Sequence, residues 1–196
     1  MTMADMPIGL ADESARACER DARALLSPLR HASVFSPPRR GMLAFDDYAA
    51  ANAWGKAQAK RLTGAEKGGG LSRQAWMIAP KIREVDAFMT PARQARLAEA
   101  HPEVAFWRLN GGKPCAHAKR AADGRAERRA LLAANGLDPD PHFADLRKAA
   151  GGGAGLDDWY DACALALTAK ARLEDAAVRL SDDARDARRL VMEIWG

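Results

Sequence analysis

Residues 155–169, GLDDWYDACALALTA, place three aspartates at the head of what otherwise reads as a buried, alanine-rich helix. Asp158 and Asp161 lie three apart and Asp157 and Asp161 four apart, so either pair shares a helical face. Gathering like charges costs free energy unless a cation or a base stands between them. One chemistry that repays this is coordination of a divalent metal by oxygen ligands. The other is helix-terminus electrostatics, in which a single acid suffices as a cap and each further acid near the positive end gains only about 0.3–1 kcal/mol. Capping accounts well for Asp157. It accounts less well for Asp161, which runs directly into the apolar stretch, and spacing alone leaves both chemistries open.

Other groups could join them. Asp5 follows an apparent strand and precedes a turn at Pro7 and Gly9, which is where open α/β sheets place their sites; an Asx hydrogen bond within the turn is the plainer alternative. Glu99 and His101 are two apart on a second candidate strand and share a face, with Glu103 just beyond Pro102. A histidine among carboxylates suits a ligand or general base, or a structural hydrogen bond. Residues 113–129 carry Lys113, Lys119, Arg120, Arg125, Arg128 and Arg129 against only Asp123 and Glu127. That density suits phosphate contact, and equally a solvated helix face. The run NGGKP is no phosphate loop, because Pro114 stands where a P-loop needs Ser or Thr after its lysine. No Gly-x-Ser-x-Gly and no credible Ser/His/Asp set occurs.

The elements that must position these groups follow from composition and periodicity. With 196 residues the chain suits one domain, residues 1–196. It is 48% hydrophobic but only 6% aromatic, and the apolar share is dominated by alanine, which favours helices. The formal charge of +4 leans mildly toward anionic partners. Three cysteines at 18, 115 and 163, with no Cys-x-x-Cys, argue against a zinc site or disulfide framework and suit a cytoplasmic setting. Asp5 and Pro7 interrupt any signal peptide. No stretch approaches the roughly 18 apolar residues of a membrane span, so no membrane is expected.

Periodicity predicts a short strand over 1–5 and a helix over 12–26. A proline-rich loop covers 27–40, and helices span 46–62 and 71–89, the latter kinked or divided at Pro80. EKGGG and AAGGGAG (149–155) read as flexible breaks. A strand ends at His101, a short helix covers 103–109, and helices span 124–135 and 142–149. A long helix runs over 157–180, followed by an apolar ending, LVMEIWG, with strand character.

Seven strings in order, ADMPIGL, RACERDARALL, SVFSPP, GLSRQAWMIAPKIREVDAFM, EAHPEVAFWRLNGG, HAKRAADGRAERRALL and LDDWYDACALALTA, resemble the family known as domain of unknown function 429, regarded as ribonuclease-H-like nucleases. The resemblance runs from about residue 3 to residue 195. It implies an α/β fold, a ribonuclease-H-like mixed sheet flanked by helices, here helix-rich. It implies Asp5, Glu99, Asp158 and Asp161 as ligands of Mg²⁺ or Mn²⁺, with His101 assisting, in a two-metal hydrolysis of nucleic-acid phosphodiesters. Lys81, Lys119 and Arg128 fall in family-like motifs as phosphate contacts. The same resemblance implies a three-stranded meander with a "G-V-D-G"-like metal aspartate ahead of Asp5. Met1 leaves no room for it, so the domain is expected to be N-terminally truncated, with an open sheet edge that a second copy or a partner chain could cover. A start assigned too far downstream, strands supplied by another chain, and a non-catalytic relative that binds nucleic acid or protein all fit that departure.

Overall fold

A computed structural model describes residues 1–12, 15–64, 68–149 and 151–196. Strand β1 (Thr2–Ala4) pairs in parallel with β2 (Leu97–Glu99), in the register Thr2 to Leu97 and Ala4 to Glu99. β3 (Arg179–Arg185) and β4 (Val191–Trp195) form an antiparallel hairpin with an irregularity between Ser181 and Arg185. A parallel bridge from Ala100 to Trp195 joins the two pairs, which places β2 beside β4. The chain is thus a helix-rich mixed α/β protein with short strands.

Nine α-helices surround these strands among the described residues: α1 (Ala17–Leu26), α2 (Tyr48–Thr63), α3 (Arg73–Met77), α4 (Ala79–Phe88), α5 (Pro91–Gln94), α6 (Pro102–Leu109), α7 (Ala122–Ala134), α8 (Phe143–Ala149) and α9 (Leu156–Leu173). The principal core lies between α6, α7 and α9. Phe106, Leu109, Leu132, Tyr160, Cys163 and Ala164 meet there. On α9 the buried residues Tyr160, Cys163, Ala164, Thr168 and Ala171 recur at three- to four-residue intervals, the stripe expected of a helix with one face inward. A second cluster packs Cys18, Ala22 and Leu26 of α1 against Val104 of α6 and Ile194 of β4. All three cysteines are free and buried.

The expected 71–89 helix divides at Ile78, and Pro80 sits in the first turn of α4, where its missing N–H costs nothing. The first helix, expected from Asp12, begins instead at Ala17, with Arg16 as its extended N-cap; residues 13 and 14 lie outside the described residues, as do Glu66 and Lys67 of EKGGG and Ala150 of the 149–155 break. A larger correction concerns the end of the long helix. The long helix does not reach residue 180. It closes at Leu173, Asp175 turns with φ +54°, and Arg179–Arg185 is strand β3. No helix among the described residues is long and apolar enough to cross a membrane.

Candidate functional site

The parallel register of β1 and β2 brings their carboxyl ends side by side. Ala100 donates its N–H to the Ala4 carbonyl at 2.9 Å, so Asp5 and His101 leave the same edge of the sheet. His101 is the N-cap of α6, and its Nδ1 accepts the Glu103 N–H at 3.2 Å. That bond places the ring proton on Nε2, and burial lowers the His101 pKa, which keeps the ring neutral. Helix α9 packs against both α6 and β1 and delivers Asp161 from its second turn to the same place.

Lys119 arrives from the loop before α7. That loop is docked tightly on the helix: a Cβ at Gly124 would lie 1.9 Å from the Ala118 carbonyl oxygen, so only glycine admits the contact. Glu127 accepts the N–H groups of Ala116 and His117 at 2.8 and 3.0 Å and fixes the loop from the other side. Lys119 Nζ then donates to Asp161 Oδ2 at 2.7 Å.

Asp5, His101, Glu103, Lys119 and Asp161 line one cavity of about 390 Å³, whose remaining wall includes Arg30, Phe35 and Arg120. Burial pushes the Asp5 carboxyl up to about 6 against the pull of Lys119, although the residue keeps an exposed side at the cavity mouth. Burial also raises Asp161. The Lys119 hydrogen bond and charge oppose that rise, and the charges of Asp5 and Glu103 add to it. On Lys119 burial opposes the ammonium, yet the bond and charge of Asp161, with Asp157 and Asp158 behind it, leave its pKa above the ordinary value. Three buried polar atoms of the wall have no partner: Arg30 Nε, Glu103 Oε2 and Asp161 Oδ1.

The other expected site residues are placed elsewhere. Glu99 does not line this cavity. Its Oε2 accepts the Ile8 N–H at 2.7 Å and the Arg16 guanidinium at 2.6 Å, and it borders only a gap of about 20 Å³ shared with Asp5 and His101. Burial pushes its carboxyl up to about 8 while Arg16 opposes the shift. Asp158 is engaged in the helix terminus, where its Oδ2 accepts the Gly155 N–H at 3.0 Å. Arg128 is fully buried. It binds Glu103 Oε1 at 2.6 Å and the His117 and Gly124 carbonyls at 3.1 Å each, so it cannot reach a phosphate in solvent. Lys81 is exposed on α4, away from the cavity wall.

The donor set therefore does not fit the two-ion centre. Of the four expected ligands only Asp5 and Asp161 face the cavity, and among the described residues no group of three or more His, Cys, Asp or Glu side chains could hold a metal ion.

A family model described as a protein of unknown function, DUF429, matches residues 1–186. The chain belongs to the DUF429 family. No curated protein matches it, and no solved structure does. Within this DUF429 member, sequence reasoning missed Arg30 and Phe35, both in the proline-rich 27–40 loop. The signal was present: a proline-bounded loop that carries Arg30 beside the apolar run Val34–Phe35 has a face to bury, and here Arg30 and Phe35 reach the cavity at the carboxyl edge of β1 and β2.

Proposed function

We propose that the cavity between Asp5, His101, Lys119 and Asp161 receives a phosphodiester of nucleic acid, and that the chain acts as a nucleic-acid-binding module. The observation that carries this reading is the convergence of Arg30, Lys119 and Arg120 on one cavity. Arg30 has no carboxylate partner among the described residues, and Arg120 is largely exposed, 3.6 Å from Asp157. Phosphate contacts fix a strand without reading its sequence. Lys119 is the most committed of the three, because its ammonium must leave Asp161 or share itself between Asp161 and the phosphate. The helices around the parallel β1–β2 pair favour a ribonuclease-H-like arrangement of this domain.

The test is binding of a short oligonucleotide by the full chain, followed by fluorescence anisotropy across a salt series, with and without EDTA. The expected result is affinity that falls with salt, is indifferent to EDTA, and in Lys119→Ala loses slope by about 0.7 for single strands or 0.9 for duplex. Binding insensitive to salt, or unchanged in Lys119→Ala, would overturn it.

A second reading is favoured by one specific observation. Asp161 Oδ1 and Glu103 Oε2 are buried on the cavity wall with no partner, and buried carboxylate oxygens without donors are costly. A Mg²⁺- or Mn²⁺-dependent nuclease would account for them only if ligands from outside the described residues joined Asp5 and Asp161. Cleavage that requires added Mn²⁺ and disappears in Asp161→Asn would establish it over the first reading.

A further inference from the structure

A second cleft lies on the other side of the 34–37 segment. Ala11, Ala15 and α1 form one wall, Ser36 to Arg39 the next, and Met42 with Gly69 and Gly70 the third. Its volume is about 170 Å³, far above the ~10–15 Å³ that one water requires. Among the described residues four guanidinium groups border it, from Arg16, Arg20, Arg23 and Arg39, with one carboxylate, Glu19.

These arginines are not equivalent. Arg16 is satisfied: it pairs with Glu19 at 3.0 Å and Glu99 at 2.6 Å, and donates to the Gly9 carbonyl at 2.9 Å. Its one charge faces both carboxylates, and burial raises the Glu19 pKa while Arg16 opposes the rise. Arg20 lies against Asp21 at 3.0 Å on the exposed rim. Arg23 is bonded directly to neutral acceptors, with Nε on the Val34 carbonyl at 3.0 Å and Nη2 on Ser36 Oγ at 2.8 Å; the Glu19 carboxylate one turn earlier feels its charge without touching it, and Nη1 makes no bond to a described residue. Arg39 has no carboxylate among the described residues, and its Nη1 is buried without any hydrogen-bond partner.

A buried, unpaired guanidinium nitrogen on Arg39, beside a second arginine with no carboxylate in direct contact, is a cost that an anion removes. The Arg39 fork, with Arg23 bordering the same cleft, suits a tetrahedral oxyanion that accepts several N–H donors at once. The glycine pair 69–70 puts no side chain into the opposite wall, and Ser36 Oγ adds a hydroxyl. A gap of about 20 Å³ bordered by Glu19, Pro37, Phe35, Asp5 and His101 separates this cleft from the cavity described above.

We infer that the cleft between α1 and the 36–42 segment is a second anion site, which takes a phosphate group on Arg39 and Arg23. It stands whether or not the Asp5–Lys119 cavity binds nucleic acid. The phosphate is either free or one phosphodiester of a strand that also reaches the neighbouring cavity, and the two sources are separable.

The probe is inorganic phosphate, titrated calorimetrically into the full chain in a low-salt buffer. One saturable site is expected, weakened about tenfold or more in Arg39→Ala, the worth of a charge-assisted hydrogen bond. Arg39→Lys keeps the charge but not the fork and recovers only part of the affinity. Lys119→Ala leaves the site unchanged. Arg39 makes no side-chain bond among the described residues, so Arg39→Ala should melt with the parent, and a melting curve checks that. In the second arm, an oligothymidylate without terminal phosphates is added as competitor. Displacement of inorganic phosphate identifies a strand phosphodiester as the natural group, and failure to displace identifies a free phosphate. No saturable phosphate binding in the millimolar range overturns the proposal. So does binding that survives Arg39→Ala in a folded protein, or binding lost in Lys119→Ala but not in Arg39→Ala.

Discussion

Replacing Arg128 by methionine separates a structural arginine from a phosphate contact. The guanidinium has no exposed surface and lies 2.6 Å from the 6%-exposed Glu103. Removing one partner of such a pair strands the other charge in the core, at about 3–5 kcal/mol. The His117 and Gly124 carbonyls lose their donor as well, and the guanidinium leaves the face of Phe106, 5.3 Å from its ring centroid. For a domain of this length each kcal/mol moves the melting temperature by about 2–4 °C, so Arg128→Met should melt about 6–20 °C below the parent. Because the penalty is a stranded charge, Arg128→Met with Glu103→Leu should recover much of the loss, since an apolar pair replaces a buried ion pair at little cost. Differential scanning calorimetry of the parent, both single variants and the double variant gives the coupling energy directly. Folded Arg128→Met, assayed at low temperature, should bind oligonucleotide as the parent does. A melting shift under about 2 °C together with weakened oligonucleotide binding would refute the reasoning, because it would mean that Arg128 faces solvent and touches the ligand.

Two further perturbations test the site. Asp5 has a folded-state pKa raised to about 6, so it gains negative charge as pH rises through that value, and a phosphate beside it is then repelled; oligonucleotide affinity should fall between pH 5 and pH 7, and Asp5→Asn should flatten the profile, a flat parental profile arguing that no phosphate sits near this carboxylate. Asp158→Ala removes the acceptor of the Gly155 N–H and should cost about 0.5–2 kcal/mol, as loss of a helix cap does, seen as a modest drop in melting temperature with oligonucleotide affinity unchanged; a loss of affinity without a loss of stability would return Asp158 to the binding site.

What the sequence revealed of the site follows from local rules. Asp5 and His101 could be placed because short apolar segments ending at a turn or a Pro-led helix mark strand ends, and parallel neighbours end on one edge. Asp161 could be placed because it sits one turn inside an apolar helix with no capping use. The partners of these groups were not legible. Glu99 is answered by Arg16, a residue 83 positions away that no local pattern connects to it. Helical phase separates Arg128 from Lys119, because Arg128 lies four residues after Gly124 and four before Leu132 and all three are buried on one face of α7; the total charge of the basic run does not show that division. Strand β3, RLSDDAR, was hidden for a different reason. It is a largely polar strand paired on one side with β4, and the residues before it continue a strong helix former, so propensity carried the helix past the point where Asp175 turns the chain.

The same distinction between charge content and charge placement decides what the cavity can do. Asp5, Glu103 and Asp161 would repel one another if all were ionised and unpaired, and each has a different answer in the fold. Glu103 is met by Arg128 from the core side, Asp161 by Lys119 across the cavity, and burial raises Asp5 toward neutrality. Lys119 thus supplies one positive charge against two facing carboxylates. An entering phosphate competes with Asp161 for that ammonium. Burial already raises the Asp161 pKa while Lys119 opposes the rise, so a carboxyl that gives up its lysine is shifted further toward taking a proton instead. On the proposed reading, anion entry and proton uptake would therefore be linked at this residue.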